Sequence, residues 1–293
     1  MKGGVVIIGS LLWQDGSTHE PWKPVRKEWR DNYLKPKENY IPIKFPIRYG
    51  RYSENNEFPV QINNATHSGY EIKTNIQNRK NDGSYYLNTN NKAIFPLYTM
   101  VLSLGNKDLK NYGTAFLCPF KTEVNTIEDI KECVKQLSIA EGIFLNENTF
   151  FRKKWGGVSI YVSPKFIRDN KPFSDEIFNL WKEKLGSKKW LSQFEGFEDD
   201  NACILHTEGN KIGTINLDTI IAQDSKLQSE VHSFDFLLVA VTVPKYENDQ
   251  IKRYPSSKEI GQFAQSDLRR YFQNNYKNGI TTFQDVDILK HFN

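Results

Sequence analysis

Four β-branched residues in succession, Val5-Val6-Ile7-Ile8, leave no face for solvent and predict a fully buried first strand. Thr99 to Leu104 and Ala115 to Cys118 read as two further strands, separated by a turn-rich segment from Gly105 to Gly113. Val158 to Val162 and Phe234 to Val243 are also strand-like; the second is the strongest, and Pro244 ends it. Cys203 to Leu205 and Ile212 to Leu217 flank Glu208-Gly209-Asn210, which predicts a hairpin.

Three helices are signposted at their ends. Thr126-Ile127-Glu128-Asp129 has capping-box form, and Ile127, Ile130, Val134 and Leu137 follow at helical spacing. Ser174-Asp175-Glu176 predicts the start of a second helix that runs through Trp181 to Leu185 and stops at Gly186. Ser256 with Glu259 opens a third, with Ile260, Phe263, Leu268 and Tyr271 inward and Gly279 as the stop. Strands and helices do not alternate as a doubly wound sheet requires, so the predicted class is α+β.

Residues 54–95 break this regularity: Asn, Ser, Thr and charges crowd them, and their apolar residues have no period. They read as an excursion from the core, a long loop or small hairpin, less ordered than its surroundings and the first site of proteolysis. Residues 164–293 carry their own strands and helices, as a second subdomain or as a wrap around residues 1–163; the pattern leaves both open.

Of the 293 residues, 38% are hydrophobic and 13% aromatic, a globular composition. No apolar run approaches the ~20 residues of a membrane span, and the opening strand lacks the flanks of a signal peptide, so a cytoplasmic protein with no membrane partner is expected. Cys118, Cys133 and Cys203 are odd in number and scattered, and the five histidines have no ligand spacing, so neither a disulfide framework nor a metal is expected. A net charge of +4 suits an anionic small molecule and is too weak to predict nucleic-acid binding.

Three features could carry chemistry. A buried strand runs straight into Gly9-Ser10-Leu11-Leu12-Trp13, a turn that either serves the fold alone or aims successive amides at an anion, with the Ser10 hydroxyl added. Continuing the apolar stripe past Leu137 by four residues lands on Glu141, just before Gly142. There a carboxyl either is buried, with its pKa raised towards neutrality for proton exchange, or turns to solvent or a nearby Arg. Third, Arg26, Trp29 and Arg30, then Arg48-Tyr49-Gly50-Arg51, set guanidinium forks among aromatics, suited to a carboxylate or to ordinary ion pairs.

Together these features resemble the gamma-glutamylcyclotransferase superfamily, in particular its glutathione-acting branch. That group opens with a strand and a Tyr-Gly-Ser-Leu loop, matched here by Ile8-Gly9-Ser10-Leu11-Leu12-Trp13, with Ile in place of the Tyr. Its Leu-x-x-x-Glu-Gly helix end, followed by an aromatic-Arg step and a strand, is similar to Leu137 to Glu141-Gly142, Phe151-Arg152 and Val158 to Val162. The resemblance covers residues 1–163, interrupted by the polar insertion at about 54–95. It implies a mixed sheet or barrel with flanking helices, to which residues 164–293 add a C-terminal α+β region without counterpart. It implies that Glu141 is the general acid/base, and that Gly9, Ser10, Leu11, Trp13, Arg48 and Arg51 bind a gamma-glutamyl-like ligand. The implied reaction is release of 5-oxoproline from a gamma-glutamyl amide, without metal or cofactor. A non-catalytic binding or interaction protein on the same fold is the alternative.

Overall fold

The computed structural model describes residues 1–16, 24–53, 97–102, 111–144, 150–197, 205–248, 250–267 and 270–292, together with five short strands between 57 and 94. The chain opens with β1 (Gly3–Ile7), all five residues buried, and then a 3-10 turn at Ser10–Leu12. Helix α1 (Val25–Tyr33), β2 (Ile41–Phe45) and β3 (Ile47–Ser53) follow. The polar excursion holds β4 (Glu57–Pro59), β5 (Thr66–His67), β6 (Tyr70–Glu71), β7 (Tyr86–Leu87) and β8 (Lys92–Ile94). Among the described residues these pair with one another, as β4-β8-β7 and β5-β6. The rest of that span, with the expectation about its order, lies outside the described residues.

After β9 (Leu97–Leu102) and β10 (Gly113–Pro119) comes α2 (Ile127–Glu141), then β11 (Phe151–Arg152) and β12 (Gly156–Val162). Next are α3 (Pro164–Asp169), α4 (Lys171–Leu185), α5 (Lys188–Leu191), α6 (Asp218–Ile221) and α7 (Ser225–His232). Strand β13 (Phe236–Thr242) precedes α8 (Ser257–Ser266), α9 (Tyr271–Lys277) and α10 (Asp285–Leu289). The architecture is α+β, built on a mixed six-stranded sheet in the order β11-β12-β13-β1-β10-β2. Only β1 and β13 run parallel; the other neighbours are antiparallel.

Strand β13, from the span after residue 164, lies between β12 and β1, and its first six residues are buried. That span therefore supplies a central strand to the sheet the N-terminal residues begin. Strands β3 and β9 pair as a separate ribbon, and backbone bonds from Tyr52 N–H to the Lys245 carbonyl (2.7 Å) and from Lys245 N–H to the Gly50 carbonyl (3.0 Å) tie it to the chain leaving β13. Where β1 ends, β10 would be left with open ladder positions. Thr281 fills them: Thr114 N–H donates to its carbonyl at 2.9 Å, and its own N–H returns to Thr114 at 3.3 Å. The chain after Ile7 is thus released from the sheet to form the Gly9–Trp13 turn.

Helix α2 forms as its pattern predicts. Asp129 N–H donates to the Thr126 hydroxyl and Thr126 N–H to the Asp129 carboxylate, closing the capping box at 3.1 and 3.0 Å, an arrangement worth about 1 kcal/mol. Ile127, Ile130, Val134 and Leu137 are all buried, and the helix packs on β12 and β13. Gly142 stops it in the left-handed conformation at φ 71°, which a side chain would strain.

Three expectations need correction. The second helix starts at Lys171, not Ser174: Pro172 sits in the first turn, where a missing N–H costs nothing, and Ser174 is already inside and buried. The third predicted helix is two, α8 and α9. Arg270 takes a left-handed φ of 52°, which no continuous helix accepts, and the Asp267 carboxylate receives the Tyr271 N–H at 2.7 Å to start α9 afresh. Leu268 lies outside the described residues. The hairpin around Gly209 keeps its turn, but its second arm, Ile212 to Leu217, forms no strand: Leu205 bridges Ile215, His206 N–H donates to the Thr214 carbonyl at 2.9 Å and Gly213 N–H to the His206 carbonyl at 2.8 Å, while Cys203 and Ile204 lie outside the described residues. There Ser159 Oγ donates to the Gly213 carbonyl at 2.7 Å, so the segment is held to β12 rather than extended as a ribbon.

Among the described residues, no helix is long and apolar enough to cross a membrane. Cys118 is buried in β10 and burial raises its thiol well above the ordinary range; Cys133, half-buried on α2, is pushed up to about 12. Both are protonated, inert thiols at neutral pH.

Candidate functional site

Helix α1 turns Arg26, Trp29 and Arg30 to one face, because residues three and four apart share a side of a helix. That face clamps the turn after β1. Arg30 Nη1 donates to the carbonyls of Leu11 (2.7 Å) and Gln14 (2.8 Å), and its Nη2 meets the Asp15 carboxylate at 2.6 Å. Arg26 lies deeper, only 2% exposed. Its Nη1 donates to Ser10 Oγ and to Gln14 Oε1, both at 2.7 Å, and its Nε donates to the Ala140 carbonyl at 2.9 Å. Its Nη2 stands 3.6 Å from the Glu141 carboxylate. One guanidinium thus joins the N-terminal turn to the C-terminal end of α2, where the helix dipole also favours a cation.

The end of α2 is fastened from the other side as well. The Trp155 indole N–H donates to the Glu141 carbonyl, and Arg152 Nη1 donates to the Gly142 carbonyl, both at 3.2 Å. These bonds satisfy carbonyls that the helix end leaves open. The Glu141 backbone is thus held in place, while its side chain faces Arg26 and keeps 19% of its surface accessible. Burial raises its pKa above the usual carboxylate value, and the Arg26 guanidinium opposes this without cancelling it. Arg26 shows the mirror effect: burial lowers its pKa and Glu141 supports its charge. A carboxyl raised in this way binds a proton more readily than an exposed one, which suits it to proton exchange.

The turn itself is closed by bonds from Leu12 N–H to the Gly9 carbonyl (3.0 Å) and from Gln14 N–H to the Ser10 carbonyl (2.8 Å). Gly9 has an extended φ of −169°, so it is not needed for a special conformation. It is needed for space: a Cβ there would stand 2.7 Å from the Tyr271 hydroxyl. Helix α9 brings Tyr271 to this position. The phenol oxygen accepts the Met100 N–H at 3.3 Å, and the ring meets Trp13 and Tyr49 edge-on, at centroid distances of 5.9 and 6.4 Å. One turn further along α9, Asn275 Oδ1 accepts the Trp13 indole N–H at 2.7 Å.

Of the residues expected at a site, the structure gathers Gly9, Ser10, Leu11, Trp13 and Glu141 around Arg26, Arg30 and α9. The Ser10 hydroxyl oxygen is engaged by Arg26, so its part is to hold the guanidinium. Arg51 is one neighbour removed. Its Nη1 and Nη2 donate to the carbonyls of Val243 (2.7 Å) and Lys154 (2.8 Å), and its face lies 4.5 Å from the ring centre of Trp155. Burial lowers its pKa to about 10. Arg48 stacks elsewhere, 3.8 Å from the Tyr254 ring centre and 5.5 Å from that of Phe283.

Sequence reasoning undervalued Arg26, which reads as an ordinary ion-paired arginine until its place on the Trp29 face is given weight. Gln14, Tyr271 and Asn275 carry no motif. Tyr271 was visible only as an inward position of a helix 130 residues beyond Glu141. Comparison with protein-family models, curated proteins and solved structures found no match, so the functional reading rests on the chemistry of these residues.

Proposed function

We propose that the protein is a gamma-glutamylcyclotransferase-type enzyme with Glu141 as its acid/base. The observation that carries this reading is the Arg26 guanidinium, with Nη1 on Ser10 Oγ at 2.7 Å and Nη2 at 3.6 Å from Glu141. It unites in one buried cluster the two motifs on which the family resemblance depends.

In the proposed reaction the α-amine of a gamma-glutamyl group attacks the carbonyl carbon of its own side-chain amide. A C–N bond forms and closes the five-membered ring; the original amide C–N bond breaks. Glu141 as carboxylate accepts the proton released by the attacking nitrogen, then delivers it to the departing one, so 5-oxoproline and a free amine result. Burial, which raises its pKa above the usual carboxylate value, makes it a better proton acceptor in the first half. The Gly9-Ser10-Leu11 backbone holds the ligand's α-carboxylate, and Arg26 keeps that backbone in register with Glu141. Trp13 and Tyr271, in edge contact with each other, wall the site at the Gly9 turn.

The test is direct. Purified protein is incubated with glutathione and with a panel of gamma-glutamyl dipeptides, and 5-oxoproline is followed by mass spectrometry. Release from gamma-glutamyl compounds but not from α-glutamyl isomers is expected. Binding of these compounds without release of 5-oxoproline would leave a non-catalytic ligand-binding protein.

A further inference from the structure

We propose that the Tyr271 hydroxyl, delivered by α9 over the Gly9 turn, is a ligand-binding donor that contacts the carboxylate held there. This rests on the cyclotransferase reading and extends it to a part of the chain that the resemblance does not reach.

Three observations lead to it. First, the phenol oxygen occupies the space that any side chain at residue 9 would need: a Cβ would lie 2.7 Å from Oη, while the next ring atom, Cζ, is at 3.9 Å. The absence of a side chain at Gly9 is thus matched to the hydroxyl rather than to the ring. Second, the oxygen already accepts the Met100 N–H at 3.3 Å. That bond uses a lone pair and orients the group, leaving its proton for donation. Third, the ring is fixed by Trp13 and Tyr49, and Trp13 is anchored in turn by Asn275 from the same helix. A donor on a rigid aromatic support makes a bond without the entropy cost of ordering a flexible side chain.

The electrostatic setting agrees. Burial first, and the nearby Glu141 carboxylate, hold the phenol pKa above its ordinary value, so the hydroxyl keeps its proton throughout the working pH range; the Met100 and Asn275 hydrogen bonds and the Arg26 charge act the other way. A neutral donor over the turn complements the loop amides, while Arg26 is occupied by Ser10, Gln14 and Ala140.

The test compares wild type with Tyr271→Phe, which keeps the ring and its packing. The probes are 5-oxoproline and its carboxamide, titrated by calorimetry on protein whose fold is checked by near-ultraviolet circular dichroism. The variant should bind the carboxylate about tenfold or more weakly, the factor that one hydrogen bond to a charged group supplies. The carboxamide should lose clearly less, because it accepts a weaker, uncharged bond. Tyr161→Phe, which removes a buried hydroxyl on β12 away from the turn, should bind both probes as wild type does.

Equal losses for the two probes, or none, would overturn the donor role while leaving the cyclotransferase reading intact. Wild-type protein that binds neither probe and releases no 5-oxoproline would overturn the cyclotransferase reading and this role with it. A crystal structure of wild type with 5-oxoproline gives a check independent of any variant: a carboxylate beyond hydrogen-bond distance of Tyr271 Oη would overturn the proposal.

Discussion

Replacing Gly9 by Ala places a methyl carbon 2.7 Å from the Tyr271 hydroxyl oxygen, 3.9 Å from Cζ and 4.0 Å from Met100 Cβ. The last two are ordinary contacts; the first is not, so one atom accounts for the whole clash. The backbone is no obstacle, because φ at −169° is open to any residue. Tyr271 cannot swing clear without losing the Met100 N–H and its edge contacts with Trp13 and Tyr49. Overpacking of this kind costs about 1–3 kcal/mol, offset by about 0.4–1 kcal/mol from the stiffer unfolded chain. The net cost of about 1–2 kcal/mol corresponds to a fall in melting temperature of about 2–8 °C for a domain of this size. The decisive arm is the double variant. Tyr271→Phe removes the clashing atom, so Gly9→Ala should cost much less in that background than in wild type, a coupling read from four melting curves. Gly9→Ala at wild-type stability, or the same cost in both backgrounds, would refute the close approach on which the α9 wall of the site is argued.

Arg26→Gln removes the charge opposite Glu141 and the three guanidinium hydrogen bonds that tie the turn to α2, and breaking a buried pair from one side costs about 3–5 kcal/mol. In the same variant the Glu141 pKa rises further, so the acid limb of the pH–rate profile should move to higher pH; an unmoved limb contradicts the pairing. Ser10→Ala strips one acceptor from a buried guanidinium and should cost about 1–2 kcal/mol in thermal stability, well below the effect of Gly9→Val. Asp285 gives a pH test away from the site: burial raises its carboxyl to about 6, despite a hydrogen bond from Thr282. With the folded pKa above the unfolded value, its contribution is fully present below about pH 4 and is lost as pH rises through about 6. Asp285→Asn should therefore gain about 2–3 kcal/mol over wild type at pH 8 and little at pH 4. An equal difference at both pH values would show that the fold does not raise the Asp285 pKa.

The elements with local signatures were readable before the fold. The α2 stripe from Ile127 to Leu137, its capping box and its Gly142 stop all formed in place, because each depends on residues within a turn or two of one another. The same stripe carried Glu141 to the edge of the core. What composition and spacing could not show was the neighbour that decides its chemistry, since Arg26 meets Glu141 across 115 positions and only because α1 and α2 pack together. The misread segments failed for local reasons with tertiary causes. Ser174 mimicked a cap inside a helix that Pro172 had already opened in its first turn, and the run from Ser256 to Gly279 hid a break at Arg270, a residue type that rarely adopts a left-handed conformation. The place of β13 between β12 and β1 was beyond reach, because a fully apolar strand pairs equally well with either neighbour until the sheet order is known.

Glu141→Gln tests the central claim most directly, with turnover, ligand affinity and melting temperature measured on one purified variant. Gln keeps the size and helix propensity of Glu and can still receive the Arg26 guanidinium, but it cannot exchange a proton. Release of 5-oxoproline from gamma-glutamyl substrates should fall at least about a hundredfold, the lower end of what a general acid/base supplies. Affinity for 5-oxoproline should change far less, and the fold should persist. A Glu141→Gln protein that turns over within a fewfold of wild type while its melting temperature moves would show that this carboxyl serves the fold alone, and would contradict the account.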